Sequence, residues 1–383
     1  MEHFDVAIVG LGVLGSGAAY YAARKGVKVI AFEQFELGHV RGASHDTSRI
    51  VRTSNFTPEY VKLAKSAYKD WAELEGVTGQ KLLTITGGVV FFPQEKRYME
   101  LASGFTKSLD VNGVPYELLD SKEVKNRWSQ FDIPENVSTV YTADTGIAHA
   151  SRTVSTLQSL ARAHGAILKE QTRVDSVTPK PSGGVVIKTS AGQFEAAKAI
   201  LATDAWINHL LGPLGMHIPI SVMQEQVTYF KPADPTAFEP DRFPVWIWNG
   251  DKCFYGFPCY GEPTIKAARD TANNFMTPEQ RTFVHSSQLL EELSSFMENL
   301  VPDKDRQSLR TVTCQYSITP DRQFVITPLE KYPDIIVGLG AAHAFKFAPA
   351  FGRVLAELAV DGKTDEDISK FGFPKPETAN SKL

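Results

Sequence analysis

Apolar positions along the chain alternate between two patterns. Short continuous runs read as buried strands, and runs with apolar residues three or four apart read as amphipathic helices. Residues 4–9 (FDVAIV) and 28–32 predict two buried strands, with a helix over 16–25 between them. Residues 57–75 place Tyr60, Leu63, Ala64, Ala67, Trp71 and Leu74 on one helical stripe beginning at the Thr57-Pro58 cap. Residues 82–92 are strand-like around a glycine pair, which predicts a hairpin or a bulge. Helices are predicted over 96–111, 120–128 and 148–164, and short strands over 141–147 and 166–186 around a Pro-Ser-Gly-Gly turn at 181–184. Another buried strand covers 197–202. Strand patterning resumes over 222–230, 245–257, 311–326 and 335–340, interrupted by one or two helices in 277–300. A last helix is predicted over 346–360, its N-terminus aimed at the same site as the first. The pattern predicts a mixed α/β fold in which a Rossmann-like nucleotide domain, built from both chain ends, is interrupted by a β-rich substrate domain. The expected division is 1–82, 143–217 and 310–383 against 83–142 and 218–309.

The first strand runs into Gly10-Leu11-Gly12-Val13-Leu14-Gly15, a G-x-G-x-x-G turn, and the second stops on Glu33. Gly10 makes the tight turn, Gly12 allows close approach of a pyrophosphate, and Gly15 lets helix and strand pack. The helix N-terminus presents N–H groups and a partial positive charge to phosphate. Glu33 suits a ribose diol and repels a 2′-phosphate. Strand, turn, helix, strand and acid in register point to a bound dinucleotide; the motif alone does not say which. Residues 34–54, rich in polar and basic groups, follow as a loop able to hold phosphates, and Arg49-Ile50-Val51-Arg52 within it reads as half-buried.

With 383 residues, 43% hydrophobic and 22% charged, the composition is that of a globular protein of one or two domains. A net charge of −4 gives no reason to expect nucleic acid as a partner, and no apolar run is long enough for a membrane span. The N-terminus lacks the pattern of a secretory signal. Three cysteines, Cys253, Cys259 and Cys314, fit a reducing compartment and lack zinc-ligand spacing, so no metal is expected. The terminal Ser381-Lys382-Leu383 is a peroxisomal address read by an import receptor, and peroxisomes house enzymes that make hydrogen peroxide.

Taken together, FDVAIVGLGVLGSGAAYY, SRIVR, FYGFP, VTCQY, HAFKF and the GK-T-x-x-DIS-x-F tail at 362–371 resemble, in order and nearly end to end, the monomeric sarcosine oxidase family of flavin amine oxidases. Relatives in that family oxidise N-methyltryptophan, pipecolate, saccharopine and fructosyl amino acids. The resemblance implies FAD, a two-domain fold, a monomer, and oxidation of a secondary amine to an imine with release of hydrogen peroxide. It places FAD against Gly10, Gly12, Val13, Leu14, Gly15, Glu33, Gln34, Ser44, His45, Arg49, Val174, Trp206, Cys314, His343, Phe345 and Lys346. Cys314 matches the family cysteine that carries the flavin through an 8α thioether. Strand alternation puts Val312, Cys314 and Tyr316 on one face. Cys253 and Cys259 match no such role and are expected to be structural.

Arg52 and Lys346 match the family's substrate-carboxylate ligands, and Tyr255 a tyrosine of the substrate pocket. Lys346 lies between two phenylalanines, and a strand-like turn would send it away from both rings. Lys266 matches the lysine that assists oxygen activation, where a fixed ammonium stabilises developing negative charge. Tyr255, Tyr316 and Asp270 complete the candidate catalytic set, and no residue stands out as a base. The chain departs from the family at three places. Asp270 replaces a histidine found in bacterial sarcosine oxidases, Asp204 stands where glycine is usual before Trp206, and Ala342 and Ala344 flank His343 where glycines are common. An acid at 270 would favour a substrate with a further cationic or hydroxyl group. Two other classes remain open from sequence: a flavin dehydrogenase or halogenase-like monooxygenase, for which no second nucleotide fingerprint appears, and a non-catalytic dinucleotide sensor.

Overall fold

A computed structural model describes residues 2–303 and 305–374; Ser381-Lys382-Leu383, expected as a peroxisomal address, lies outside them. The buried run His3–Val9 forms the centre of the first sheet. It pairs in parallel with Val29–Phe32 on one side and with Gly192–Leu201 on the other. Ile167–Lys169 and Ile335–Leu339 extend the parallel core, and Val174–Pro179 and Val185–Thr189 add an antiparallel flap. The register decides where ligands go. Val9 lies opposite both Phe32 and Leu201, and Leu201 opposite Val337. The carboxyl ends of four parallel strands therefore finish side by side, and the loops beginning at Gly10, Glu33, Ala202 and Gly340 share one crevice, the usual ligand position in open α/β sheets.

The helix Val13–Arg24 packs behind this sheet against the late helix Ala348–Val360. Its glycines carry the reason. A Cβ on Gly15 would sit 1.9 Å from the carbonyl oxygen of Gly10, and one on Gly352 would sit 2.6 Å from the Cα of Gly17. Gly10 adopts φ +92°, where side chains are disfavoured, with the Ala202 carbonyl against it.

The second sheet runs Gln307–Ile318, Ser221–Lys231, Ile265–Asp270, Cys253–Phe257, Val245–Asn249, Gly88–Pro93, Val137–Thr142, Glu117–Leu119. A small third sheet joins Arg49–Val51 and Leu83–Ile85 to the two edges of Gly146–Ala148.

Several expectations are corrected by this arrangement. Residues 82–92 do not form a hairpin: Leu83–Ile85 pairs with Gly146–Ala148, whereas Gly88–Pro93 pairs with Val137–Thr142 and Val245–Asn249. Gly87, at φ +70°, turns the chain from one sheet to the other. The long amphipathic helix is Pro58–Thr78; proline occupies its first turn, but the Thr57 hydroxyl makes no capping bond. The segment around Lys346 is not strand-like. Ala344–Phe347 is one 3₁₀ turn, which places Lys346 and Phe345 at the cavity and buries Phe347, and the Lys346 ammonium, expected to point away from both rings, lies over the Phe347 ring at 4.7 Å. No helix among the described residues is long and apolar enough to cross a membrane.

Candidate active site

Two adjoining cavities open at the carboxyl ends of the parallel strands, of about 250 and about 150 Å³. Gly12, Ser44, His45, Ala202 and Asp204 line both. The smaller is walled by Gly10, Glu33, Gln34, Val174 and Trp206, all expected at the cofactor. The larger takes in Val13, Leu14, Arg49, Cys314, His343, Phe345 and Lys346 from the same set, together with Arg52, Tyr255, Lys266, Asp270 and Tyr316. Of the candidate residues, Gly15 stands behind the turn in helix–strand packing.

Glu33 is held as an anion at the end of its strand. Burial opposes its charge, but His39 at 3.5 Å and the N–H groups of Leu11 and Phe35, at 3.0 and 3.1 Å, outweigh it and lower its pKa. The Ser44 hydroxyl accepts from the N–H of Val13 at 3.0 Å and so sits against the helix N-terminus. Buried polar atoms without a protein partner cluster here: His45 Nε2, Thr203 Oγ1, Asp204 Oδ2 and both ends of the Gln315 amide. Such groups are rarely left alone in a folded protein. A polar, elongated ligand spanning both cavities supplies what they lack, and FAD fits: an anionic diol acceptor at Glu33, phosphate donors at a glycine turn and helix start, and a broad apolar and polar slot beside Cys314. Cys314 is 8% exposed, with the Arg49 guanidinium 3.7 Å from its sulfur.

The wall opposite is one face of the second sheet, and register shows how. Tyr316, Cys314 and Val312 lie opposite Met223, Glu225 and Val227; Tyr229 lies opposite Lys266; Ala268 opposite Tyr255; Asp270 opposite Cys253. With side chains alternating, all of these share one side. Lys266 and Asp270, four residues apart on one strand, stand about 13 Å from each other along the cavity. The expected common face of Cys314 and Tyr316 is thus present. Cys253, expected to be structural, also lines this cavity, whereas Cys259 is in the core beyond it.

At the deep end, Lys266 is 3% exposed and bonds Asp46 Oδ2 at 2.7 Å and the Ser48 carbonyl and hydroxyl oxygens at 3.1 Å each. Burial, offset by Asp46, pulls its pKa down to about 8. At the other end, Asp270 accepts from His343 Nε2 at 3.3 Å and lies 3.8 Å from Arg322. Burial disfavours its charge, yet His343, Arg322 and Arg52 together keep its pKa below the usual value. Arg52 and Lys346 come from segments far apart in the chain; the strand Arg49–Val51, which precedes Arg52, packs on the turn Ala344–Phe347. Burial drops the Arg52 pKa to about 10, and burial together with Arg52 drives that of Lys346 well below the ordinary lysine value. Two half-buried cations held together, each made less favourable, are what an entering anion relieves.

The departures have a structural account. Asp204 and Ala342 adopt φ +47° and +75°, the left-handed region that glycine occupies freely. Burial raises the Asp204 carboxyl to about 6. Sequence reading missed Glu225, which lines the cavity, is pushed by burial up to about 8, and receives the Ala272 N–H at 3.0 Å on each oxygen. Its strand is buried on both faces, so no alternation marks it. Asp46, seen only as part of a polar loop, proves to be the partner of Lys266.

The comparisons with known proteins agree with this geometry. A family model described as FAD dependent oxidoreductase matches residues 5–358. The monomeric sarcosine oxidase of Bacillus sp. (strain NS-129) is 31% identical over 97% of this chain and 96% of its own length. The human peroxisomal sarcosine oxidase is 28% identical over 96% and 95%. Among solved structures, NikD, an unusual amino acid oxidase essential for nikkomycin biosynthesis, superposes with a TM-score of 0.85 at 26% identity, covering 100% of both chains. The glycine turn, the crevice at the strand ends and a match spanning most of the sequence lead to one assignment: the chain belongs to the FAD-dependent oxidoreductase family.

Proposed function

We propose that the protein is an FAD-dependent amine oxidase acting on an N-methyl or other secondary amino acid, with an imine and hydrogen peroxide as products. One observation carries the reading: Arg52 and Lys346, from distant segments, meet as two half-buried cations in a cavity that also holds Cys314, Tyr255, Tyr316 and Lys266. FAD held between the glycine turn, Glu33 and Cys314 would supply the acceptor for a hydride equivalent from the carbon next to the substrate nitrogen and the route of those electrons to O₂. The chain's own residues do the rest. Arg52 binds the substrate carboxylate in a two-pronged manner and Lys346 adds a second positive charge. Tyr255 and Tyr316, whose pKa values burial raises above the ordinary phenol value, remain neutral hydroxyls that orient the amine. The amine reacts only as the free base, because an ammonium has no lone pair to donate. Lys266 supplies the fixed positive charge for the oxygen step. Asp270, with His343, stands at the far end of the wall from Lys266 and favours substrates with a hydroxyl or cationic group there.

A peroxide-coupled screen of N-methyl and cyclic amino acids tests this; a purified yellow protein that no such compound bleaches without air would overturn it. Covalent flavin at Cys314 belongs to the same proposal. The acid-precipitated holoprotein is expected to come down yellow and Cys314→Ala colourless; a colourless precipitate from the unmodified protein rules the thioether out. Peroxisomal import through Ser381-Lys382-Leu383 is also proposed. A fluorescently tagged chain is expected to lose its peroxisomal location when Leu383 is deleted, and an unchanged location refutes the address.

A further inference from the structure

Lys266 is not a loose cation beside the cavity. An ammonium has three N–H donors, and all three are taken, by Asp46 Oδ2 at 2.7 Å and by two oxygens of Ser48 at 3.1 Å. None is left to move a proton or to grip a ligand, so the group acts through its charge and its place.

The carboxylate that holds it is itself strictly placed. Asp46 sits at φ +82°, a left-handed conformation that side chains other than glycine's rarely adopt. Its carbonyl oxygen accepts from the N–H and hydroxyl of Ser151, at 3.0 and 2.9 Å, at the start of the helix Ala150–Ala163. Its Oδ1 accepts from the Thr47 N–H at 2.8 Å and from the Tyr229 hydroxyl. The strand that carries Lys266 belongs to the second sheet, so this buried pair joins the two halves of the cavity.

We propose that Asp46 is the positioning residue for Lys266, fixing both the location and the charge of its ammonium. The proposal rests on the role given above to Lys266. The other ionisable groups facing this ammonium are Arg49, His45, Tyr229 and Cys314. Burial, with Arg49 and Arg281 nearby, keeps the His45 imidazole neutral, its pKa near 3. Asp46 is therefore the anion in contact with the lysine. Without it, burial and Arg49 act on Lys266 with Cys314 as the one remaining group that favours its charge.

The test is Asp46→Asn in the FAD-loaded protein, with Lys266→Met beside it. The oxidative half-reaction of Asp46→Asn is expected to lose rate at a pH at least about one unit lower than the unmodified protein, the size of one buried charge contact. Its loss at pH 8 should be about fivefold, should approach tenfold by about pH 9, and should nearly vanish at pH 6, where Lys266 regains its proton. The reductive half-reaction should move far less. The visible absorption of the bound flavin, titrated against pH without substrate, should show the same displaced midpoint. Asp46→Gly, which accepts φ +82° without strain, repeats the measurement should the asparagine variant fold poorly. If Lys266→Met leaves oxygen reactivity intact, the role of the lysine fails. If Lys266→Met slows it but both Asp46 variants keep the original pH profile and midpoint, the role of Asp46 fails.

Discussion

Lys266→Met is expected to slow the reaction of reduced enzyme with O₂ by on the order of 10²–10³-fold, the scale of removing one preorganised charge from a developing anion. The reductive half-reaction should change by less than about threefold, because the substrate carboxylate is held elsewhere, by Arg52 and Lys346. Stopped-flow measurement of the two half-reactions separates them, and equal slowing of both refutes the assignment. The unmodified protein should also show pH dependence of a definite sign. Lys266 carries its charge below its pKa of about 8 and loses it above. Oxygen reactivity should therefore fall as pH rises through that value, and Lys266→Met should lack this limb.

Arg52→Ala is expected to raise KM for the amino acid by about 10²–10⁴-fold. Hydrogen bonds to charged groups contribute roughly 1.5–3 kcal/mol each, and a guanidinium makes two to a carboxylate. Each 1.4 kcal/mol is tenfold. Deletion also leaves Lys346 as the one cation of the pair and removes one of the causes, after burial, that lower its pKa. The check is comparison with the primary amide of the same amino acid. The unmodified protein should strongly prefer the acid; Arg52→Ala should largely lose that preference. A variant that still discriminates between acid and amide places the carboxylate elsewhere.

Much of this was legible before any coordinates. The glycine turn and Glu33 were, because they form a local pattern whose spacing is fixed by one strand and one helix. The shared face of Cys314 and Tyr316 was, because alternation in a strand is strict. Gly87 and Gly88 misled, since a glycine pair between apolar runs marks a change of direction without saying which sheet receives each run. Lys346 misled because two flanking phenylalanines look alike in a strand and in a single 3₁₀ turn. Asp46 and Glu225 were hidden for different reasons. The first meets Lys266 across 220 residues of sequence, and its left-handed backbone is available to Asp without any local signal. The second sits in a strand covered on both sides, so neither neighbour betrays which way it points.

The crossing of Val13–Arg24 with Ala348–Val360, backbone against backbone at Gly17 and Gly352, also bears on the order of events in the cell. The phosphate turn is synthesised well before the helix that buttresses it and the turn bearing His343 and Lys346. A growing polypeptide thus carries an unbacked glycine loop through most of its translation. Flavin loading is therefore expected to wait until Ala348–Val360 has been made and has packed on the glycine turn, and shortage of the vitamin precursor should leave behind a collapsed but colourless chain.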